Sequence, residues 1–308
     1  MNELSIEGAS STPRAPTLFS QGLRRRWWQR AVQVAPVRVF IGILFILPGT
    51  FLENFARRPA ALGIQVAAAA ASVLAYLALM AGFARLVERR RPHELSRPGA
   101  LLEWLAGCAL GITLLAATVG ILVAAGLYRV RLGHDIAALA TGLVVFGPHS
   151  LLEEILLRAL VFKITEEAVG SRVALVVQAA LFGALHLGNP SATITAAIAI
   201  MLEAGLLLAI AYMVTRRLWL AWGIHLGWNY AQGSIFGIRV SGTPSTGSVL
   251  DASPVGSPLM SGGDFGVEAS PIAVLVCLSA AALLWRAAVR RGEVVGYREQ
   301  RARLLTLR

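Results

Sequence analysis

The stretch SLLEEILLRALVF, residues 150–162, lies inside a long apolar run yet carries two adjacent carboxylates, Glu153 and Glu154. Arg158 follows four residues after the second. Each charge at the centre of a bilayer costs roughly 2.5–3.5 kcal/mol even on a lenient insertion scale. Three charges on one such stretch need either a soluble setting or a task that repays the location.

Composition decides for the bilayer. Hydrophobic residues make up 56% of the 308-residue chain and charged residues only 15%, where a soluble domain carries about 25% charged residues. Apolar runs near the ~20 residues that cross a ~30 Å hydrocarbon core recur along the sequence. Eight segments read this way, at about 37–53, 62–87, 101–127, 136–162, 172–188, 192–214, 218–236 and 271–289. Pro48 and Gly49 interrupt the first of them. The runs are continuous and rich in Ala and Leu, which excludes spanning strands. The expected fold is all-α: a polytopic bundle of about eight transmembrane helices.

The distribution of basic residues orients the bundle. With the N-terminus in the cytoplasm, 21 of the 28 basic residues fall on cytoplasmic segments, and the outer loops keep only Arg57, Arg58, Arg129, Arg131 and Arg239. The positive-inside rule then predicts both termini in the cytoplasm. The net charge of +11 is accounted for by these flanks meeting anionic lipid, and no nucleic-acid partner is expected. Residues 1–36 read as a disordered basic and aromatic segment, with RRRWWQR (24–30) as an interfacial anchor. No removable signal peptide is expected. Residues 37–289 form one membrane domain with its core at about 136–236, and 290–308 form a basic tail. Cys108 and Cys277 fall inside apolar segments and suggest neither a disulfide nor a metal site. Residues 237–270, with seven Gly, seven Ser and three Pro, read as an outer loop, either a flexible linker or a lid over a site.

The intramembrane polar residues concentrate in the second half. His149, Glu153, Glu154 and Arg158 share one segment, Gln178 and His186 the next, Glu203 the sixth, and His225, Asn229 and Gln232 the seventh. Glu154 and Arg158 are four apart, in the favourable order for a helical ion pair. Taken singly, each has an ordinary reading as a buried pair or a hydrogen bond between helices. A carboxylate, two imidazoles and a carboxamide on three helices read together as a site.

These residues resemble the Abi/CAAX-protease superfamily of intramembrane endopeptidases. The resemblance rests on EEILLR (153–158), FGALH (182–186) and HLGWN (225–229), in that order on successive helices. It extends over about residues 85–270, including RRRPHEL (89–95) and SGGDFGVE (261–268). Members usually have Phe before the motif arginine and Gly after it, where this chain has Leu157 and Ala159. The resemblance implies peptide-bond hydrolysis, with Glu153, His186, His225 and Asn229 as catalytic residues and Glu154 and Arg158 in support. Glu153 and His186 would activate water. His225 and Asn229 would bind the oxyanion, where losing one donor typically costs about 10²–10³ in rate. No cofactor is favoured. A zinc ion on Glu153, His186 and His225 is the alternative, although the HExxH pattern is absent.

Two other functions compete with the protease: a proton-coupled transporter, and a catalytically silent bacteriocin-immunity or scaffold protein. A transporter should show a repeat between its halves, and none is visible. The expected partners are the lipid bilayer and a membrane-anchored protein or peptide substrate. The Ala-, Arg- and Gly-rich composition suggests a bacterial inner membrane.

Overall fold

The computed structural model describes residues 34–133, 135–245 and 247–297. The expected N-terminal anchor at 24–30, nearly all of the segment before it and most of the basic tail therefore lie outside the described residues. Among those described, the chain is a helical bundle with a single two-stranded ribbon.

The first apolar segment breaks where Pro48 and Gly49 predict it. Helix α1 (Ala35–Ile46) and helix α2 (Gly49–Ala56) meet at a bend of 44°. Helix α3 (Leu62–Gly82) runs on through a π-helical turn at Phe83–Val87, and α4 spans Ala100–Ala124. Helix α5 (Ala138–Glu154) continues as a π-helical stretch, Ile155–Phe162. A short helix α6 (Lys163–Val169) ends at Gly170, whose φ of +89° suits glycine, and α7 (Ser171–Leu185) begins immediately after it. Thr193 caps α8 (Ile194–Ile200), its hydroxyl accepting from the Ala196 N–H at 3.0 Å. A π turn at Met201–Gly205 leads into α9 (Leu206–Thr215). Helix α10 (Leu218–Tyr230) again ends in a π turn, Ala231–Ile235. The short α11 (Pro258–Ser261) precedes α12 (Pro271–Arg290).

Among the described residues, five helices are long and apolar enough to cross a membrane, or six if the bent pair α1–α2 is one span. The expected count of eight is not reproduced. The two shortfalls are the helices at 138–162 and 218–235, which carry the polar motif residues. Glu153, Glu154 and Arg158 on the first, and His225, Asn229 and Gln232 on the second, dilute the apolar character that the other helices keep.

Helices α4 and α10 approach through glycines. A Cβ on Gly107 would lie 2.6 Å from the Leu220 carbonyl oxygen and 2.9 Å from Gly223 Cα. One on Gly223 would strike the Trp104 carbonyl, and one on Gly227 the Cys108 carbonyl. Close backbone contact of this kind is how helices associate where lipid is as apolar as the interface. It fixes the height and rotation of α10, and with them His225 and Asn229.

The arginine-rich face is laced with ion pairs. Arg38 bonds Glu167 at 2.5 Å, Lys163 reaches Glu88 at 3.1 Å and Glu167 at 2.8 Å, and Arg90 pairs with Glu94 at 2.6 Å. Arg216 bonds Glu166 and Glu293, and Arg217 bonds Glu103. Burial alone would raise the Glu167 pKa, but Lys163 and Arg38 hold it down at about 2. Part of the basic charge that the sequence assigns to lipid is thus spent on acidic side chains within the protein.

The Gly/Ser/Pro-rich loop is structured. Its strand β2 (Leu250–Pro254) pairs antiparallel with β1 (Tyr128–Leu132), from Tyr128 opposite Pro254 to Leu132 opposite Leu250. The ribbon ties the connection after α4 to the loop before α12.

Candidate active site

The end of α5 supplies the two carboxylates. Glu154 is fully buried, and its Oε1 accepts from Arg158 Nη1 at 2.9 Å. Arg158, also fully buried, donates from Nη2 to the Ala204 carbonyl at 3.2 Å and lies 4.8 Å from the Phe182 ring centroid. A buried guanidinium needs such partners on every side. It therefore knits α5 to α7 and to the π turn before α9.

The Glu154 carboxylate also meets α10: its Oε1 lies 2.8 Å from His225 Nδ1. The other ring nitrogen of His225, Nε2, lies 3.5 Å from Glu153 Oε2. Successive residues of α5 thus address opposite edges of one imidazole. A carboxylate on Nδ1 fixes ring orientation and leaves Nε2 facing the working side. Two carboxylates, one guanidinium and one imidazole make a cluster that is electrically neutral when the imidazole carries both protons.

His186 follows the last turn of α7, held by an Nδ1 contact of 2.7 Å to the Phe182 carbonyl. The Phe182 ring packs 4.7 Å from it and 6.1 Å from His225. His186, His225 and Asn229 line one partly open cavity, together with Glu203, Trp228 and aliphatic side chains of α8, α9 and α10. The structure therefore brings together His186, His225 and Asn229 around one space, and Glu153, Glu154 and Arg158 around His225.

The structure adds neighbours to the candidate catalytic residues, among them His149, which lies four residues before Glu153 on the same helical face. Ser241 and Glu268, from the loop, also line the cavity. Glu268 is buried, accepts from the Ser241 backbone N–H and bonds Gln232 at the end of α10. Burial pushes its pKa up to about 8, against the lowering effect of the Ser241 bonds. The loop thus contributes two residues to the cavity wall. On the opposite flank, His149 bridges Glu153 to Glu53 of α2. Glu53 left a signal, since Glu53 and Arg57 repeat the four-residue acid–base spacing of Glu154 and Arg158.

Among the described residues, no group of three or more His, Cys, Asp or Glu side chains converges to hold a metal ion.

Residues 134–231 match the family described as Type II CAAX prenyl endopeptidase Rce1-like. The matched stretch contains all three motifs read from the sequence. No curated protein and no solved structure matches the chain. The matched domain and the several apolar helices support an integral membrane peptidase.

Proposed function

We propose, from the premise that residues 134–231 carry an Rce1-like CAAX endopeptidase domain, that this chain hydrolyses a peptide bond of a membrane-anchored protein or peptide. Glu153, His186, His225 and Asn229 do the chemistry, and Glu154 and Arg158 hold them in place. The observation that carries this reading is the double grip on His225, at 2.8 Å from Glu154 and 3.5 Å from Glu153.

Glu153 is the general base, with His186 helping to position the water. As the water oxygen bonds to the scissile carbonyl carbon, its proton passes to Glu153. Negative charge then develops on the carbonyl oxygen, where His225 Nε2–H and the Asn229 amide donate to it. With its Nδ1–H held by Glu154, His225 donates from Nε2 to the oxyanion as the imidazolium, the form in which both ring nitrogens carry protons. When the C–N bond breaks, the proton returns from Glu153 to the leaving amine. No metal takes part in this mechanism. The substrate lies partly in the bilayer, and the aliphatic and aromatic cavity wall suits an apolar chain segment or lipid anchor. The protein works in a bacterial inner membrane, with both termini in the cytoplasm.

Purified protein in lipid vesicles, given a farnesylated CAAX peptide and a panel of membrane-anchored peptides, tests this. Glu153→Ala, His186→Ala and His225→Ala should each abolish cleavage while helicity and thermal stability persist. Near-normal cleavage by any of them removes that residue from the mechanism. Dialysis against a strong chelator, with residual zinc checked by elemental analysis, should leave cleavage intact. Loss restored by stoichiometric zinc would sink the metal-free mechanism. Proton-coupled uptake of a solute, lost in Glu153→Ala without any cleavage, would favour the transporter instead.

A further inference from the structure

Glu53 lies on α2, some 80 residues before the matched domain begins, yet the structure joins it to the carboxylate expected to act as base. Its Oε1 accepts from Arg57 Nη2 at 2.7 Å, and its Oε2 accepts from the Tyr76 hydroxyl at 2.6 Å. Glu53 and Tyr76 are both buried. The same Oε1 is 2.9 Å from His149 Nδ1, and His149 Nε2 is 3.4 Å from Glu153 Oε1.

Glu153 is thereby set between two imidazoles, with Oε1 toward His149 and Oε2 toward His225. Each imidazole is backed by a further carboxylate, Glu53 behind the first and Glu154 behind the second. The contacts to Glu153 are longer than a tight hydrogen bond. Such contacts are commonly loose before substrate binds and tighten afterwards.

We propose that Glu53 and His149 are positioning residues for Glu153, fixing the plane of its carboxylate from the side opposite His225. This rests on the proteolytic reading given above. Arg57 and Tyr76 immobilise Glu53, Glu53 orients the His149 ring through Nδ1, and the ring presents Nε2 to Glu153. A base held in one plane keeps a bound water in line with the scissile carbonyl, and misplacement by about 1 Å can cost roughly 10²-fold in rate. The bland alternative is a cluster that only ties α2 to α3 and α5. It predicts lost stability with unchanged turnover.

A double-mutant cycle in lipid vesicles, read with the farnesylated CAAX peptide, separates the two. Glu53→Gln and His149→Asn should each lower kcat by about tenfold or more, as loss of an outer partner typically does. KM should stay near the wild-type value. If Glu53 acts through His149, the double variant should be no slower than His149→Asn alone. Thermal unfolding of each variant shows whether it is folded. Should Glu53→Gln fail to fold, His149→Asn decides alone, because its partly exposed side chain is less needed for packing. Unchanged kcat in folded His149→Asn, or losses that multiply in the double variant, would overturn the proposal. A wild-type protein that cleaves nothing, with Glu153→Ala as the blank, would instead overturn the proteolytic reading beneath it.

Discussion

Removing the Arg158 side chain would leave Glu154 without its charge partner in a place no water reaches. Breaking a buried ion pair from one side costs about 3–5 kcal/mol. Arg158→Ala also loses the bond to the Ala204 carbonyl and the contact with the Phe182 ring. Thermal stability and cleavage should therefore fall together. An inactive Arg158→Ala protein of unchanged stability would assign Arg158 to the chemistry instead. This pair was legible in the sequence because four-residue spacing places the two charges on one helical face. The grip of Glu154 on His225 was not legible, because spacing along one helix says nothing about which helix stands opposite. The four-residue spacing of His149 and Glu153 was legible, but Glu53 behind His149 stayed hidden for the same reason, across an even longer separation.

At the scale of elements, the glycines of α4 and α10 carry a prediction of their own. A Val side chain at Gly223 would press on the Trp104 carbonyl, Cys108 N at 2.9 Å and Gly107 Cα at 2.9 Å. Backbone atoms cannot step aside as a flexible side chain can. Overpacking of this kind typically costs about 1–3 kcal/mol, and here it displaces His225 two residues away. Gly223→Val should lower the unfolding temperature and cleavage together. Gly63→Ala, on α3 with nothing within 4 Å of the new methyl, should change neither. Unimpaired Gly223→Val protein would mean the two helices do not pack through these glycines. The signal was present as GCALG (107–111) and GIHLG (223–227), small residues four apart on two helices. Such spacing marks a face for close approach but does not say which helix it meets. The count of eight spans is not confirmed for a related reason: the polar motif residues lower the hydropathy that marks a span.

Across the whole molecule, the loop before α12 is fastened to the bundle by a group with an unusual titration. The Glu268 carboxyl has a folded pKa of about 8 against an ordinary 4.5. The folded protein then holds a proton that the unfolded chain gives up, so this group's contribution is fully present below about pH 4.5. It is lost progressively as pH rises toward 8, and stability falls across that window. Glu268→Gln keeps a neutral side chain and should flatten this part of the pH dependence. The check is thermal unfolding of both proteins between pH 4.5 and 8.5. Parallel curves would show that Glu268 does not titrate in this window. Composition made 237–270 look like a linker or a lid. Gly, Ser and Pro do not announce pairing, so the short strand that meets Tyr128–Leu132 could not be seen from them.

That ribbon also sets an order of events during synthesis. Tyr128–Leu132 leaves the ribosome early, and its partner Leu250–Pro254 only after more than a hundred further residues, several seconds later at about 5–20 residues per second. A nascent chain that has just released Ile235 already holds every motif residue, yet Ser241 and Glu268, which line the cavity, have not emerged. The candidate site is therefore complete only after the loop has emerged, and a chain halted before it carries the motif residues in an unfinished enclosure.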